Sequence, residues 1–500
     1  MTRDDERLDW LRSYAEGTAT PTTLAALTRS LGDDDGFRDL FLEYLNIDLA
    51  LATPRPSPGA SASPVAPPIS SPSSLPPNRS RSPFRRRRLA ALAAGSLAVA
   101  AAVATVTVPD RLRPCANVTR AIGRGDLAAG DVVRSGRCDI ESGLVELRTV
   151  RGAAVVIEAP ARFRFESPQR LRVERGRVAA DVPPSAKGFT VVTGDGDAID
   201  IGTRFGVDVP AAGRPEIHVL SGQVLARSAQ SGMQSLETGQ ATVFDRGTSM
   251  SRELRSGAFI EPREVAALAA AVSAGQQERA AGALERLRRD PALIALLDFE
   301  RVAPDPPTCR FVQGRWPGSR AVEFVDVGDH MAVAFGAGGS WPRLTIAAWV
   351  RLDRLGDPYH SLYHTDGWTE QNPGQVHWMI AGKGTMRLAL RSMKLAAGAR
   401  ELDGFPESLT SVFGTEGRWA HLATVYDAEA RTARFYVDGR FDGQTLLDDA
   451  PPARLGPARI GNWSGRDRKL SGRIDDMLFI GRVMDDDEIA ALHAAGNPYR

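Results

Sequence analysis

Lysine is nearly missing from this chain. Of its 62 basic residues only Lys187, Lys383, Lys394 and Lys469 are lysines, and against 61 acids the formal net charge is +1. No stretch that reads as folded carries the basic surplus that phosphate neutralisation needs, which argues against direct nucleic-acid binding. Histidine is absent before His218, and the three cysteines, Cys115, Cys138 and Cys309, make no CxxC or other zinc spacing. On an oxidising side of a membrane Cys115 and Cys138 are the closer pair for a disulfide; three unlinked thiols are the other reading, because spacing does not reveal geometry. Catalytic signatures are missing as well: there is no GxSxG, HExxH, GxxxxGK or ExDxxE. The GxGxxA in "IGRGDLA", Gly123 to Ala128, follows no clear strand and reads as chance. No enzyme is expected.

Charge is also absent from Leu89 to Val108, twenty residues of which nine are alanine, three leucine and four valine. At about 1.5 Å per residue such a helix crosses a hydrocarbon core of roughly 30 Å. A surface or buried Ala-rich helix is the competing reading. Six arginines precede the segment (Arg79, Arg81 and Arg85 to Arg88) and two follow it closely, Arg111 and Arg113. The positive-inside rule then keeps the N-terminus in the cytoplasm and exports the rest. Lying far from Met1, the segment reads as a retained anchor.

Before it lie two territories. Residues 1–52 spell three amphipathic helices: "RLDWLRSYAEG", "TPTTLAALTRSLG" with Thr20 as N-cap, and "GFRDLFLEYLNIDLAL". This small head has 5 basic and 11 acidic residues, a net of −6, which suits a basic partner or a solvated face. Residues 53–88 are a Pro/Ser-rich then Arg-rich linker.

After the span, residues 115–250 read as dense short strands with turn signals every 8 to 14 residues. Residues 260–292 read as a helical connector, and residues 293–497 return to strands with seven of the eight tryptophans. The chain is therefore multidomain and mainly β, with a small N-terminal helical head and one transmembrane helix.

Two resemblances sharpen this. The conjunction of "VIEAPARF", "GRVAADVP", "GFTVVTGDG", "DIGTRFGVDV" and "VLSGQV" resembles the periplasmic domain of FecR-type anti-sigma regulators. The strings "LTIAAWVRLD", "RWAHLATVYDAEARTARFYVDGR" and "GRIDDMLFIGRVMDDDEIAALHAAG" resemble, in order, laminin-G-like domains of the concanavalin A-like jelly-roll β-sandwich class, and the combination is similar to proteins of Planctomycetes. The first resemblance implies a cytoplasmic head that binds an extracytoplasmic-function sigma factor, one membrane pass and a periplasmic signal-receiving β domain. A head without His or Cys excludes the zinc-binding variety. The lectin-like domain departs from the iron-responsive members and leaves the signal open.

Candidate sites follow. Trp10, Leu11, Phe37, Phe41 and Tyr44 are the head residues offered to the sigma factor, although the head's own core claims most of them. Trp349 and Trp419, inside strands, read as core. Trp368 and Trp463 sit among turn formers and are expected at the sandwich rim, where an indole could stack on a sugar while Asp366, His377 or Asn462 bonds its hydroxyls; capping the core is their other role. Calcium through Asp326 or Asp329 is conceivable, and no other metal or cofactor is expected. Asp475 and Asp476, adjacent on a strand, are expected to face opposite ways and to be structural.

The sequence thus predicts a single-pass protein of a bacterial inner membrane, N-terminus cytoplasmic and C-terminus periplasmic, which senses a carbohydrate or envelope-protein signal and controls a sigma factor. A glycan-binding or adhesive envelope protein without sigma regulation is the alternative, and a polysaccharide-active enzyme the third reading.

Overall fold

In "ARFRFE" apolar and charged residues alternate, and Ala161, Phe163 and Phe165 are buried while Arg164 is exposed, as a strand with one solvated face requires. Just upstream, in "AVVIE", the alternation stops and Ala154 through Glu158 are all buried. Both stretches belong to one strand, Ala154–Ser167, so its first half must carry protein on both faces. The computed structural model describes Thr20, Thr22, Thr23, Ala26, Ser30 and residues 113–300, 308–336, 338–398, 404–462 and 468–499.

The first β domain is a 13-stranded sheet. Ala116–Gly125, Arg137–Thr149, Ala154–Ser167 and Arg170–Asp181 run antiparallel in sequence order. The last of these divides its pairing: Arg170 to Arg172 pair in parallel with Thr190–Val192, and Gly176 to Asp181 pair antiparallel with Arg204–Val209. That division folds the sheet over a core containing Phe163, Phe165, Phe189, Phe205 and Phe244. No disulfide joins Cys115, Cys138 and Cys309 to one another. Gly123 and Gly125 end the first strand and open no helix.

The second β domain stacks a nine-stranded sheet against a six-stranded one, every strand pair antiparallel. Trp378, Tyr363, Phe324, Phe435 and Phe479 fill the space between. The late strand Gly472–Ile480 inserts beside Arg343–Leu352 in the middle of the larger sheet, which ties the C-terminal end of the domain to its start. Trp349 and Trp419 are buried on the outer side of that sheet with Ala321 and Tyr499; the Trp349 ring lies 5.6 Å from that of His493. Among the described residues the architecture is mainly β, with a concanavalin A-like sandwich at the C-terminal side.

Between the two domains run helices α1 (Pro262–Ser273) and α2 (Gln276–Leu287), and α3 (Asp486–Gly496) follows the last described strand. Gly275, at φ 72°, makes the left-handed turn that separates α1 from α2. α1 buries Val265, Leu268 and Ala271 in a cluster that also holds Leu144 and Val156 of the first domain and Trp316 of the second. Gln276 Nε2 donates to the carbonyls of Ala494 and Ala495 at 2.6 and 3.1 Å, pinning α2 to the end of α3.

Beneath α1 the two domains meet through charge. Arg177 donates to Asp208 at 2.9 Å and, across the seam, to Glu323 at 2.8 Å. Arg255 donates to Asp208 at 3.0 Å, Glu216 at 2.9 Å and Asp353 of the sandwich at 2.9 Å. From the other side Arg473 grips Glu158 with two bonds of 2.6 and 3.1 Å. All of these side chains are buried. A buried guanidinium or carboxylate left alone costs several kcal/mol, so each partner is held in place by the other. The run "AVVIE" is buried on both faces because Val156 packs under α1 and Glu158 lies in this seam.

One expectation is overturned here. The strand Gly472–Ile480 breaks register against Arg343–Leu352 between Ala347 and Trp349, and Asp476 takes φ 47°. The bulge cancels the alternation. Asp475 Oδ2 accepts from the Arg315 backbone N–H at 3.0 Å, and the Arg315 guanidinium donates to Asp476, so both carboxyls converge on one residue.

In the head, the Thr23 N–H donates to Thr20 Oγ1 at 3.2 Å, the N-cap bond expected from "TPTT". Trp10, Leu11, Phe37, Phe41 and Tyr44, the linker 53–88 and the segment 89–108 lie outside the described residues. Among the described residues no helix is long and apolar enough to cross a membrane.

Candidate functional site

Tyr359–Thr365, Val376–Ala381 and Thr385–Leu390 are neighbours in the six-stranded sheet. Tyr363, Trp378 and Ile380 join the core, so the strand alternation sends His364 and His377, which face each other in register, to the outer surface. There a loop folds back over them. Trp368 stacks on His377, ring centroids 4.0 Å apart and planes 30° from parallel. Phe405 meets the indole edge-on at 6.5 Å, and the Arg391 guanidinium lies 5.9 Å from its ring.

Arginine surrounds this aromatic cluster. Arg468 Nη1 donates to His377 Nδ1 at 2.9 Å, and its guanidinium lies 5.4 Å from the Tyr359 ring. The Arg387 guanidinium, buried and bonded to Glu407 at 2.7 Å, lies 5.2 Å from the same Tyr359 ring. Arg459 pairs with Asp366 at 3.3 Å and Arg391 with Glu370 at 3.0 Å. Burial, and then the charge of Arg468, bring the His377 pKa down to about 3. His377 is thus a neutral ring that accepts at Nδ1 and supports Trp368. The surface offers a half-buried indole, planar guanidinium groups and exposed Asp366, a combination that suits polar, ring-shaped ligands.

The structure brings Asp366, Trp368 and His377 together. His377 is itself covered, at 2% exposure, so it acts through the indole that rests on it. Asn462 is spent within the fold: Nδ2 donates to the Asp326 carbonyl at 2.6 Å and Oδ1 accepts from the Leu470 N–H. Trp463 lies outside the described residues. Asp329 Oδ2 accepts the Val325 and Asp326 amides at 2.8 and 2.7 Å, and Asp326 pairs with Arg252 at 2.8 Å, so the carboxylates considered for calcium serve a turn and an ion pair. Among the described residues no three metal-ligating side chains converge. The arginines at this surface were not singled out from sequence. The signal was present in "TMRLALR" and "PARIG", where Arg387, Arg391 and Arg459 alternate with apolar residues.

Residues 329–490 match the Laminin_G_3 family model, described as the concanavalin A-like lectin/glucanases superfamily. No curated protein matches the chain. Among solved structures, the binding domain of botulinum neurotoxin serotype D aligns at 9% identity and a TM-score of 0.31, over 40% of this chain and 50% of that one. The chain thus spans about half the length of that first structure. Domain 4 of AbnA, an extracellular arabinanase from Geobacillus stearothermophilus in complex with arabinotriose, aligns at 15% identity and 0.29, over 40% of this chain and 86% of that one. The Ruminococcus gnavus IT-sialidase CBM40 bound to α2,3-sialyllactose aligns at 15% and 0.27, over 34% and 95%. TM-scores of this size bear no functional argument.

Proposed function

We propose that the chain is an envelope receptor. Its concanavalin A-like sandwich takes up a glycan outside, a FecR-like β domain welded to that sandwich carries its state toward the membrane, and the head at 1–52 controls an extracytoplasmic-function sigma factor inside. The observation that carries this reading is the buried ion seam. An adhesive lectin works on a loose tether, whereas a receiver has to pass a change on, and a seam of Arg177, Arg255 and Arg473 bonded to carboxylates of both domains couples the two. No reaction is asked of the chain; ligand shifts a balance between conformations. The glycan half of the reading is supported by the family match at residues 329–490 and by Trp368 among its arginines. The inside half is supported by the order of head, linker and Arg-flanked apolar segment in the sequence, which agrees with a small acidic head on the cytoplasmic side of an inner membrane.

The test uses the full chain in detergent, on a polysaccharide array and in pull-down from the source bacterium's lysate. The expected result is that a polysaccharide is retained, that Trp368→Ala weakens retention at least tenfold, and that a sigma factor co-purifies unless Phe41→Asp and Tyr44→Asp are present. Polysaccharide binding without a sigma factor would leave a glycan-binding envelope protein. An array on which nothing is retained would overturn the glycan reading.

A further inference from the structure

On the solvated face of the first β domain, like charges stand side by side. Phe163, Phe165, Leu171 and Val173 point into the core, so Arg162, Arg164, Arg170 and Arg172 of the same two strands point outward. The pairing register then lines arginines up. Arg137 is directly opposite Arg164, and Arg164 directly opposite Arg172, which makes one row across three strands. In the next row Arg162 lies opposite Arg175. Neighbouring strands are about 4.8 Å apart, and like charges directly opposite one another destabilise a sheet. The first row is open to water: side-chain exposure is 60% at Arg137, 50% at Arg164 and 32% at Arg172.

Acids temper these rows without balancing them. Glu166 is shared by Arg164, Arg170 and Arg172, at 3.6, 2.8 and 2.5 Å. Glu174 pairs with Arg137 at 3.4 Å and Asp139 with Arg162 at 2.6 Å. No ion pair reaches Arg175 among the described residues, and its Nε has no hydrogen-bond partner. Six guanidinium groups thus meet three carboxylates. At the rim Asp197 is bonded to Arg227 and lies 3.5 Å from Arg170, while Arg124 and Arg134 stand against Asp126, Glu141 and Asp195. The face stays positive. What relieves a row of guanidinium groups is an anion repeated along a line. Nucleic-acid binding draws on about 6–10 phosphate contacts, more than this surplus supports. A bilayer surface takes up apolar side chains, and the exposed large apolar residues of this domain, Val132, Val150 and Met250, are not on these rows. An unstructured acidic peptide gives up chain entropy when it is laid out straight. A uronic-acid polymer is stiffer and carries one carboxylate on every ring.

We infer that this face of the first β domain binds an acidic polysaccharide, its carboxylates seated in turn on Arg137, Arg164 and Arg172. The core residues beneath hold the three strands in register, so the row is set before the polymer arrives. The surface lies on the first β domain, whereas the sheet face around Trp368 belongs to the sandwich, and the binding does not depend on the envelope-receptor reading.

The experiment measures binding of the full chain in detergent to polygalacturonate, dextran, poly-L-glutamate and polyphosphate. Polygalacturonate is expected to bind about tenfold more tightly than dextran or poly-L-glutamate, and more tightly than polyphosphate, with a steep loss of affinity between about 50 and 300 mM salt. Arg137→Gln, Arg164→Gln and Arg172→Gln should each weaken it about fourfold, and the triple variant about thirtyfold or more. Thermal unfolding of these variants should be close to or above that of the parent, because like-charge contacts are relieved. Glu166→Gln frees three arginines from their shared carboxylate and should strengthen binding about threefold; a surface with only a structural role predicts no gain. Arg343→Gln, at an exposed arginine of the sandwich, should change nothing. If the triple variant does not fold, the single variants and Glu166→Gln decide. Undiminished binding in folded arginine variants, or binding that is lost in Trp368→Ala instead, would overturn the proposal. Tighter binding of polyphosphate or poly-L-glutamate would overturn it as well, by giving the rows to another polyanion.

Discussion

Asp208 and Asp475 are both buried where the same two β domains come together, at 4% and 2% exposure, and they titrate in opposite directions. Burial pushes Asp208 up, but Arg177, Arg310 and Arg255 outweigh it and hold the carboxyl well below the usual carboxylate range. Glu216 behaves likewise, its pKa brought down to about 2 by His218 and Arg255 against the effect of burial. Asp475 is raised well above its ordinary value, by burial first and then by the charge of Asp476, with Arg315 alone opposing. Burial is common to the two sites. What differs is the supply of cations, so a matched part of the seam holds the domains together and an unmatched part leaves its carboxyl raised.

The largest effect that can break this comparison comes from Asp208. Asp208→Asn leaves Arg177, Arg255 and Arg310 around a neutral amide, and the stability of the full chain should fall by about 3–5 kcal/mol in urea at pH 7. A loss below about 1 kcal/mol would show that the seam does not depend on charge matching. Acid gives the same test without mutation. A carboxylate with a depressed folded pKa contributes stability above its unfolded pKa and loses it as pH falls through the folded value. For Glu216 that window runs from 4.5 down to about 2. Acid titration should therefore lower the stability of the chain between those limits, with a shallower transition in Asp208→Asn.

How far such a seam can be read in advance depends on what sequence patterns encode. The alternation in "ARFRFE", the Ala-rich runs of α1 and α2 and the cap at Thr20 are local, and each is visible in a window of a few residues. The seam is not local. Arg177 and Glu323 are separated by 146 positions, and nothing in "GRVAADV" names "AVEF" as its partner. A hint was present all the same: a lone charge inside an apolar strand, as in "GVDV", "AVEF" and "VVIE", is costly unless paired. The bulge at Asp476 shows the opposite failure. Period-two reasoning sent the two carboxyls apart, and only the register break against Trp349 brings them together. Aspartate tolerates the left-handed region better than most residues, which permits the bulge without announcing it. Trp368 was legible as a loop tryptophan, but its support on His377 requires two strands to be in register.

A third buried carboxylate sharpens the comparison by removing the seam altogether. Asp200 lies inside the first domain at 0% exposure, accepts the Gly202 N–H at 2.9 Å, and is opposed in charge by Lys187. Burial lifts its pKa to about 7. An acid raised in the folded state is a liability that grows as pH rises from the unfolded value toward the folded one. Asp200→Asn should therefore stabilise the chain at pH 8 by roughly 2–4 kcal/mol and change little at pH 4. Stability curves of parent and variant at the two pH values measure it. If the variant is weaker at pH 8, burial without cations is not the cost argued for Asp475 either.

The smallest effect falls on Asp475 itself, and its sign carries the information. Because its carboxyl is raised by burial and by Asp476, ionising it costs the folded state, and Asp475→Asn should be nearly neutral at acid pH, where the parent carboxyl keeps its proton. At pH 8 the parent must either ionise a second carboxyl beside Asp476 or keep a proton against the solvent, and the variant is relieved of both, a gain of about 1 kcal/mol. The bond from the Arg315 backbone N–H survives, since an asparagine oxygen accepts it as well. The same Asp→Asn change is thus expected to destabilise strongly at position 208 and to stabilise slightly at position 475. Equal losses at the two positions would mean that Arg315 alone balances the pair.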